Sequence, residues 1–380
     1  MSKWPGKIII GLTGNIGTGK SVVRKMLEHL GAYGIDADTL SHRAMARGAP
    51  AYAPIVQMFG QFILAPNGEI DRGRLGRIVF SDPDALAALE RIVHPLVEQA
   101  VDLIVRRASQ PVVVIEAIKL FESSLARNCD SLWVVYSPAE IQLARLMKNR
   151  KMSEPEARQR ILGQPPQEKK IPLAHVVIRN VGTFEETWQQ VVAAWQKSVK
   201  VAVAEPTTLV TRVAASRGEI TILRGKPRHS KDIANLINRL KKPSLLVTSE
   251  DVMGMFGEKA FLLLQSGENF LGMVGWQVEN LIARTTDILI DPYLKLEDAL
   301  PPLIQEMEQA SRVLQCEASL VFLSPELAQS EPLWRSLGYE RRAPASLGVL
   351  AWQEAAQESM PEGAVMVFKQ LRVDRVLRPI

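Results

Sequence analysis

Through the first half of the chain, short continuous apolar runs alternate with amphipathic stretches. The runs at 8–12, 112–115, 132–136 and 176–178 have the pattern of strands buried on both faces. Between them lie helical patterns such as "SVVRKMLEHL", whose apolar positions 22, 23, 26, 27 and 30 share one face. This alternation predicts an α/β domain with a mostly parallel sheet covered by helices on both sides. Beyond about residue 218 the order changes. "DIANLINRL" reads as a helix, "FLLLQSGENFLGMVGWQVEN" as a hairpin, "TTDILID" as a strand and "PPLIQEMEQASRVL" as a helix starting at its prolines, which together predict a second, α+β domain. The stretch "SVKVAVAEPTTLVTRVAASRG" loses helical periodicity, and we read 1–200 as the first domain, 201–218 as a linker with some strand character, and 219–380 as the second domain.

With 380 residues and 47% apolar content, each half has enough apolar surface to bury its own core. The longest apolar runs fall short of the roughly 20 residues that cross a bilayer, and "MSKWPGK" lacks a signal-peptide core, so a cytoplasmic protein with no membrane attachment is expected. Cys129 and Cys316 have no second thiol at ligand spacing and read as buried free thiols. Charge is unevenly spread: residues 1–200 carry 26 Lys+Arg against 19 Asp+Glu, and the remainder 20 against 22. The basic positions are not interleaved with aromatics, which favours a small polyphosphate ligand over nucleic acid.

The candidate chemistry begins at "GNIGTGKS", which completes G-x-x-x-x-G-K-[ST] with Gly14, Gly19, Lys20 and Ser21 behind an apolar run and ahead of an amphipathic helix. Such a loop (Gly14, Asn15, Ile16, Gly17, Thr18, Gly19) wraps its backbone around phosphate oxygens at a helix N-terminus. Lys20 would reach the β- and γ-phosphates of a nucleoside triphosphate, and the Ser21 hydroxyl would bind Mg²⁺. Next comes "YGIDADTLSHR", where a strand ends in Asp36-Ala-Asp38. Carboxylates at the carboxyl end of a parallel strand face the ligand crevice, where one can take a proton or hold Mg²⁺. The alternative is that Asp38 is the N-cap of the following helix.

Taken in order, "GLTGNIGTGKS", "IDAD", "GAPAYAPIVQMFG", "DRGRLGRIVFSDPDALAALERIVHPLV" and "GQPPQEKKIPLAHVVIRNVG" closely resemble the dephospho-coenzyme A kinases over about residues 7–197. The resemblance implies a P-loop kinase with a helical acceptor domain and a lid, which moves the γ-phosphate of ATP to the ribose 3′-hydroxyl of dephospho-coenzyme A. It further implies Asp38 as general base, Asp36 as an organiser of Mg²⁺ and the base, and Arg43 and His94 on the acceptor. Arg145 and Arg150 correspond to lid arginines, and Gln164 and Asn180 to positions near the nucleotide. Two readings of the residues stay open: His94 before Pro95 as a helix bend or boundary, and the arginines of "ARLMKNRKMS" as a solvated face. Where the family reads D-x-P-L-L-F-E, this chain has "EAIKLFE", with Glu116 for the acid, Ile118 for the proline and Lys119 for a leucine. Lys119 then either contacts a substrate phosphate or snorkels to solvent. The usual "AD" is Ala174-His175. Another small-molecule kinase on the same scaffold, or a nucleotide-binding regulator without transfer, are the rival readings.

Residues 219–371 loosely resemble the GNAT acyltransferase fold, with "LGYE" as a short shared element. That fold grips a pyrophosphate with a glycine-rich loop before a long helix. Here the interval is "PYLKLEDALPP", which lacks glycine, carries Glu297 and Asp298, and ends in Pro301 and Pro302. Acetyl transfer is expected to be lost. An accessory role, or sensing of coenzyme A or an acyl-coenzyme A, is expected instead.

Overall fold

The computed structural model describes residues 3–199, 211–215, 218–279 and 281–373. They fall into two compact units. Residues up to Lys20 together with Tyr33–Val181 form the first, and Ser21–Ala32 with the described part of Gly182–Val373 form the second.

The first unit is built on five parallel strands: β1 (Ile8–Thr13), β2 (Tyr33–Asp36), β3 (Val112–Glu116), β4 (Ser131–Tyr136) and β5 (Val176–Arg179), in the order β2-β3-β1-β4-β5. These are the predicted apolar runs, together with the short one before Asp36. Every residue of β3 is buried, as the unbroken "VVVIE" requires of a strand covered on both faces. The chain order of helices is α1 (Lys20–His29), α2 (Ala37–Ala44), α3 (Tyr52–Phe59), α4 (Arg72–Ser81), α5 (Pro83–Arg107), α6 (Ala139–Arg150), α7 (Glu154–Leu162) and α8 (Phe184–Ser198), of which α2 to α7 belong to this unit. Helix α5 starts on a side-chain cap: Asp82 accepts the amides of Asp84 and Ala85, and Pro83 takes the first position, where no N–H is needed. It then runs through Pro95 without ending, so His94-Pro95 marks no boundary.

In the second unit α8 opens with a capping box, the Thr183 hydroxyl and the Glu186 carboxylate each taking the other's backbone amide. Eight strands follow: β6 (Thr211–Ala215), β7 (Gly218–Arg224), β8 (Ala260–Ser266), β9 (Asn269–Glu279), β10 (Ile282–Ile290), β11 (Ala318–Leu323), β12 (Glu340–Arg341) and β13 (Val365–Gln370), in the order β12-β13-β11-β10-β9-β8-β7-β6. All neighbours are antiparallel except β10 and β11. Helices α9 (Ser230–Lys241), α10 (Ser249–Met255) and α11 (Leu296–Val313) complete the frame used below. Leu300, Leu303, Ile304 and Met307 of α11 are fully buried in a core with Trp276 and Val321.

Within the span 201–218, read as a linker with some strand character, 211–215 is strand β6, paired to β7, while 201–210 lies outside the described residues. One expectation needs correction. Helix α11 begins at Leu296, not at the prolines, and Pro301 and Pro302 lie inside it. A proline is most at home in the first turn, but packing of an amphipathic face outweighs two missing helix bonds. The thiols are both free, with Cys316 buried and Cys129 only partly so.

Candidate active site

The phosphate loop leaves the end of β1, the central strand, and leads into α1. Its shape favours glycine at three points, Gly14, Gly17 (φ +76°) and Gly19. Gly14 (φ +154°) and Gly19 (φ +90°) occupy backbone conformations that side chains avoid, and a Cβ would strike the Val135 carbonyl at the first and the Asn180 amide at the second. The loop is held from outside by named donors and acceptors. Asn180 Nδ2 donates to Thr18 O at 2.8 Å, Asn15 Nδ2 to Pro165 O at 2.8 Å, and the Ile16 amide to Gln164 Oε1 at 2.8 Å. Arg145 donates to the carbonyls of Thr18 (3.2 Å) and Asn180 (3.1 Å) and to the Ser137 hydroxyl (3.0 Å). Arg145 is thus no solvated arginine. Burial lowers its pKa, and its fixed fork of donors braces the loop. Lys20 is 8% exposed, with Nζ 3.4 Å from Asn15 O.

Across the neighbouring strand ends lie the carboxylates. Asp36 closes β2 and Glu116 closes β3 in direct register. Asp36 is the N-cap of α2, its Oδ1 accepting the Thr39 amide at 2.9 Å, so the capping duty open to Asp38 falls to its neighbour. Asp38 instead accepts the Ile118 amide on Oδ2 at 3.0 Å. Its pKa is pushed up to about 6, first by burial and then by the Asp36 charge; Lys20 and the Ile118 amide pull the other way. A carboxyl in that range is suited to proton transfer near neutrality.

Ile118 is a junction that the sequence alone does not reveal. Its carbonyl accepts from Thr13 Oγ1 at 3.0 Å and from Lys170 Nζ at 2.9 Å, and Lys170 is buried.

Of the residues expected at the acceptor, Arg43 stands in the last turn of α2 and His94 on α5, both half-buried. No hydrogen bond described among these residues ties His94 to the Asp38 cluster. Lys119 is half exposed and pairs with Glu90 at 3.0 Å. An open hollow of about 650 Å³, lined by Phe62, Arg74, Arg77, Ile78, Ser81 and Asp82, was not anticipated, although "DRGRLGR" held its arginines. Arg74 is committed there to Asp71 and to the Phe62 and Leu64 carbonyls. Arg150 is exposed at the end of α6, and Ser21 is exposed in the first turn of α1. His175, in place of the usual acid, accepts the Leu132 amide on Nδ1 at 2.9 Å, a structural duty at the edge of β4.

The positive-φ glycines of the loop, with the buried Lys20 that follows them, fit a phosphate chain, since such a loop turns successive backbone N–H groups toward phosphate oxygens. Among the described residues no cluster of three or more His, Cys, Asp or Glu side chains forms a metal cage. Mg²⁺ needs none, being commonly held by one or two oxygen donors from the protein plus substrate phosphates.

A parallel sheet whose central strand runs into a glycine-lysine-serine loop beside buried carboxylates defines a P-loop phosphotransferase. The sequence profile described as Dephospho-CoA kinase matches residues 8–186. The dephospho-CoA kinase of Geobacter metallireducens is 45% identical over 196 residues, covering 51% of this chain and 98% of that protein. The solved dephospho-CoA kinase of Campylobacter jejuni is 27% identical, covering 52% of this chain and 100% of that one, with a TM-score of 0.34. The crystal structure of the GNAT domain of S. lividans PAT is 12% identical, covering 43% of this chain and 98% of that one, with a TM-score of 0.34. The chain belongs to the dephospho-CoA kinase family.

Proposed function

We infer that the chain transfers the γ-phosphate of ATP to the ribose 3′-hydroxyl of dephospho-coenzyme A. The observation that carries this reading is the pairing of a complete phosphate loop with Asp38, a buried carboxyl free of capping duty. Asp38 accepts the proton of the ribose hydroxyl as its oxygen bonds to the γ-phosphorus, and the bond to the β–γ bridging oxygen breaks to release ADP. Lys20 balances charge on the phosphates, while Arg145 and Asn180 keep the loop in its receiving shape. Mg²⁺, when bound, would neutralise phosphate oxygens from Ser21 and Asp36. Arg43, His94 and the arginine-lined hollow are assigned to the acceptor. Arg150 is assigned to the nucleotide.

The second unit is read as an accessory module. Glu297 and Asp298 occupy the first turn of α11, where a negative charge is welcome and a pyrophosphate is not. An acceptor panel with γ-labelled ATP and magnesium tests the main reading. Label on dephospho-coenzyme A alone is expected; label on adenosine monophosphate or a nucleoside instead, or on nothing, rejects it.

A further inference from the structure

Residue 118 is clamped on both sides. Its carbonyl receives the Thr13 hydroxyl and the Lys170 ammonium, and its amide donates to Asp38 Oδ2 at 3.0 Å. One residue earlier, the Ala117 amide donates to Leu12 O at 3.0 Å, tying the same segment to β1. Lys170 is 5% exposed, whereas its neighbour Lys169 lies in solvent.

Burying an ammonium is costly, and a carbonyl already served by a threonine hydroxyl does not need one. The cost is visible in the side chain itself: burial holds Lys170 below the usual lysine range, with Lys20 acting in the same sense and Glu122 and Asp38 opposing. A lysine placed there is near enough to feel both Lys20 and Asp38, the two groups assigned to the transfer. A role confined to packing the 165–173 segment would be met more cheaply by an aliphatic side chain.

We propose that Lys170 is a positioning residue for phosphoryl transfer, gripping the Ile118 carbonyl and so fixing the amide that aims Asp38 at the acceptor hydroxyl. The proposal rests on the kinase reading and on Asp38 as its base. Because the link runs through the Ile118 backbone, its loss shows in turnover and not in substrate affinity. It also vanishes once Asp38 no longer acts as the base, since there is then nothing left to aim.

The test is a double-mutant cycle on the full chain with ATP, magnesium and dephospho-coenzyme A. Lys170→Met should lower kcat about 10- to 100-fold, the usual worth of a charge-assisted hydrogen bond, with both KM values nearly unchanged. Lys170→Arg, which keeps a cationic donor, should recover part of the loss, and Lys169→Met should behave as wild type. In an Asp38→Asn background Lys170→Met should cost little more. An equal loss in both backgrounds, a change in KM alone, or wild-type kcat in Lys170→Met overturns the role of Lys170 while leaving the kinase reading intact. A wild-type chain that phosphorylates no acceptor overturns that reading and takes this proposal with it. Should Lys170→Met melt below the assay temperature, Lys170→Gln, which keeps a polar donor without the charge, is read by the same cycle, and wild-type kcat there rejects the proposal.

Discussion

Asp36 and Asp38 stand two residues apart and do different work because of where β2 stops. Asp36 is still in register with Glu116, so the helix starts at Ala37 and Asp36 becomes its cap. Asp38 is then left inside the first turn with its carboxylate on the Ile118 amide. The sequence "IDAD" showed both acids but not this division of labour, which depends on the register between two strands far apart in the chain. Lys170 was invisible for a similar reason. In "QEKKIPL" it reads as one of two solvated lysines, and only the folded sheet brings Ile118 to it. Replacing Asp38 by Asn should lower turnover by about 10²- to 10⁴-fold while ATP binding persists, as measured by steady-state kinetics and nucleotide titration. Because the Asp38 pKa is raised to about 6, the base is ionised above that pH and protonated below it. kcat/KM should therefore fall as pH drops through about 6, and a profile flat down to pH 5 would contradict the assignment.

Helix α1 carries two neighbouring groups that both lose stability as pH falls, in different windows. Glu28 would be raised by burial alone, yet Lys25 at 2.8 Å and Arg24 at 2.6 Å bring its pKa down to about 2. His29 is lowered to about 4, chiefly by burial and next by Arg224, and its Nε2 donates to Phe256 O at 2.8 Å. The sign is the same for both, because each folded-state pKa lies below its unfolded value. Between pH 6.5 and about 4 the unfolded chain binds a proton at His29 that the fold refuses, so stability should drop there by ~3 kcal/mol. The Glu28 contribution is complete above pH 4.5 and is lost between 4.5 and about 2. Thermal melts across pH 7 to 4 check the first window, and His29→Gln should flatten it. The helix itself was legible in "SVVRKMLEHL", as were the strands, because period and run length survive without tertiary context. The start of α11 was not, since Pro301 and Pro302 imitate a first turn.

For the molecule as a whole, the class of each unit was readable from the order of runs, whereas the strand order β2-β3-β1-β4-β5 was not. Nothing local in "KIIIGL" says that its neighbours will be Val112–Glu116 and Ser131–Tyr136. The second unit carries a prediction of its own. With Glu297 and Asp298 in the first turn of α11 and two prolines behind them, the full chain should release no thiol from acetyl-coenzyme A above the buffer rate when offered amine and peptide acceptors. Thiol release that follows enzyme concentration would show that the anion grip survives elsewhere.

The position of β1 in the middle of its sheet bears on how the protein is made. The phosphate loop is synthesised before its neighbours: the flanking strands come about 90 and 110 residues later, and the Asn180 amide that props Thr18 later still. Such long-range pairing closes slowly. The nascent chain therefore carries its most chemically committed segment as unfinished surface until residue 180 is made, and a fragment ending at residue 130 should retain no ATP in equilibrium dialysis.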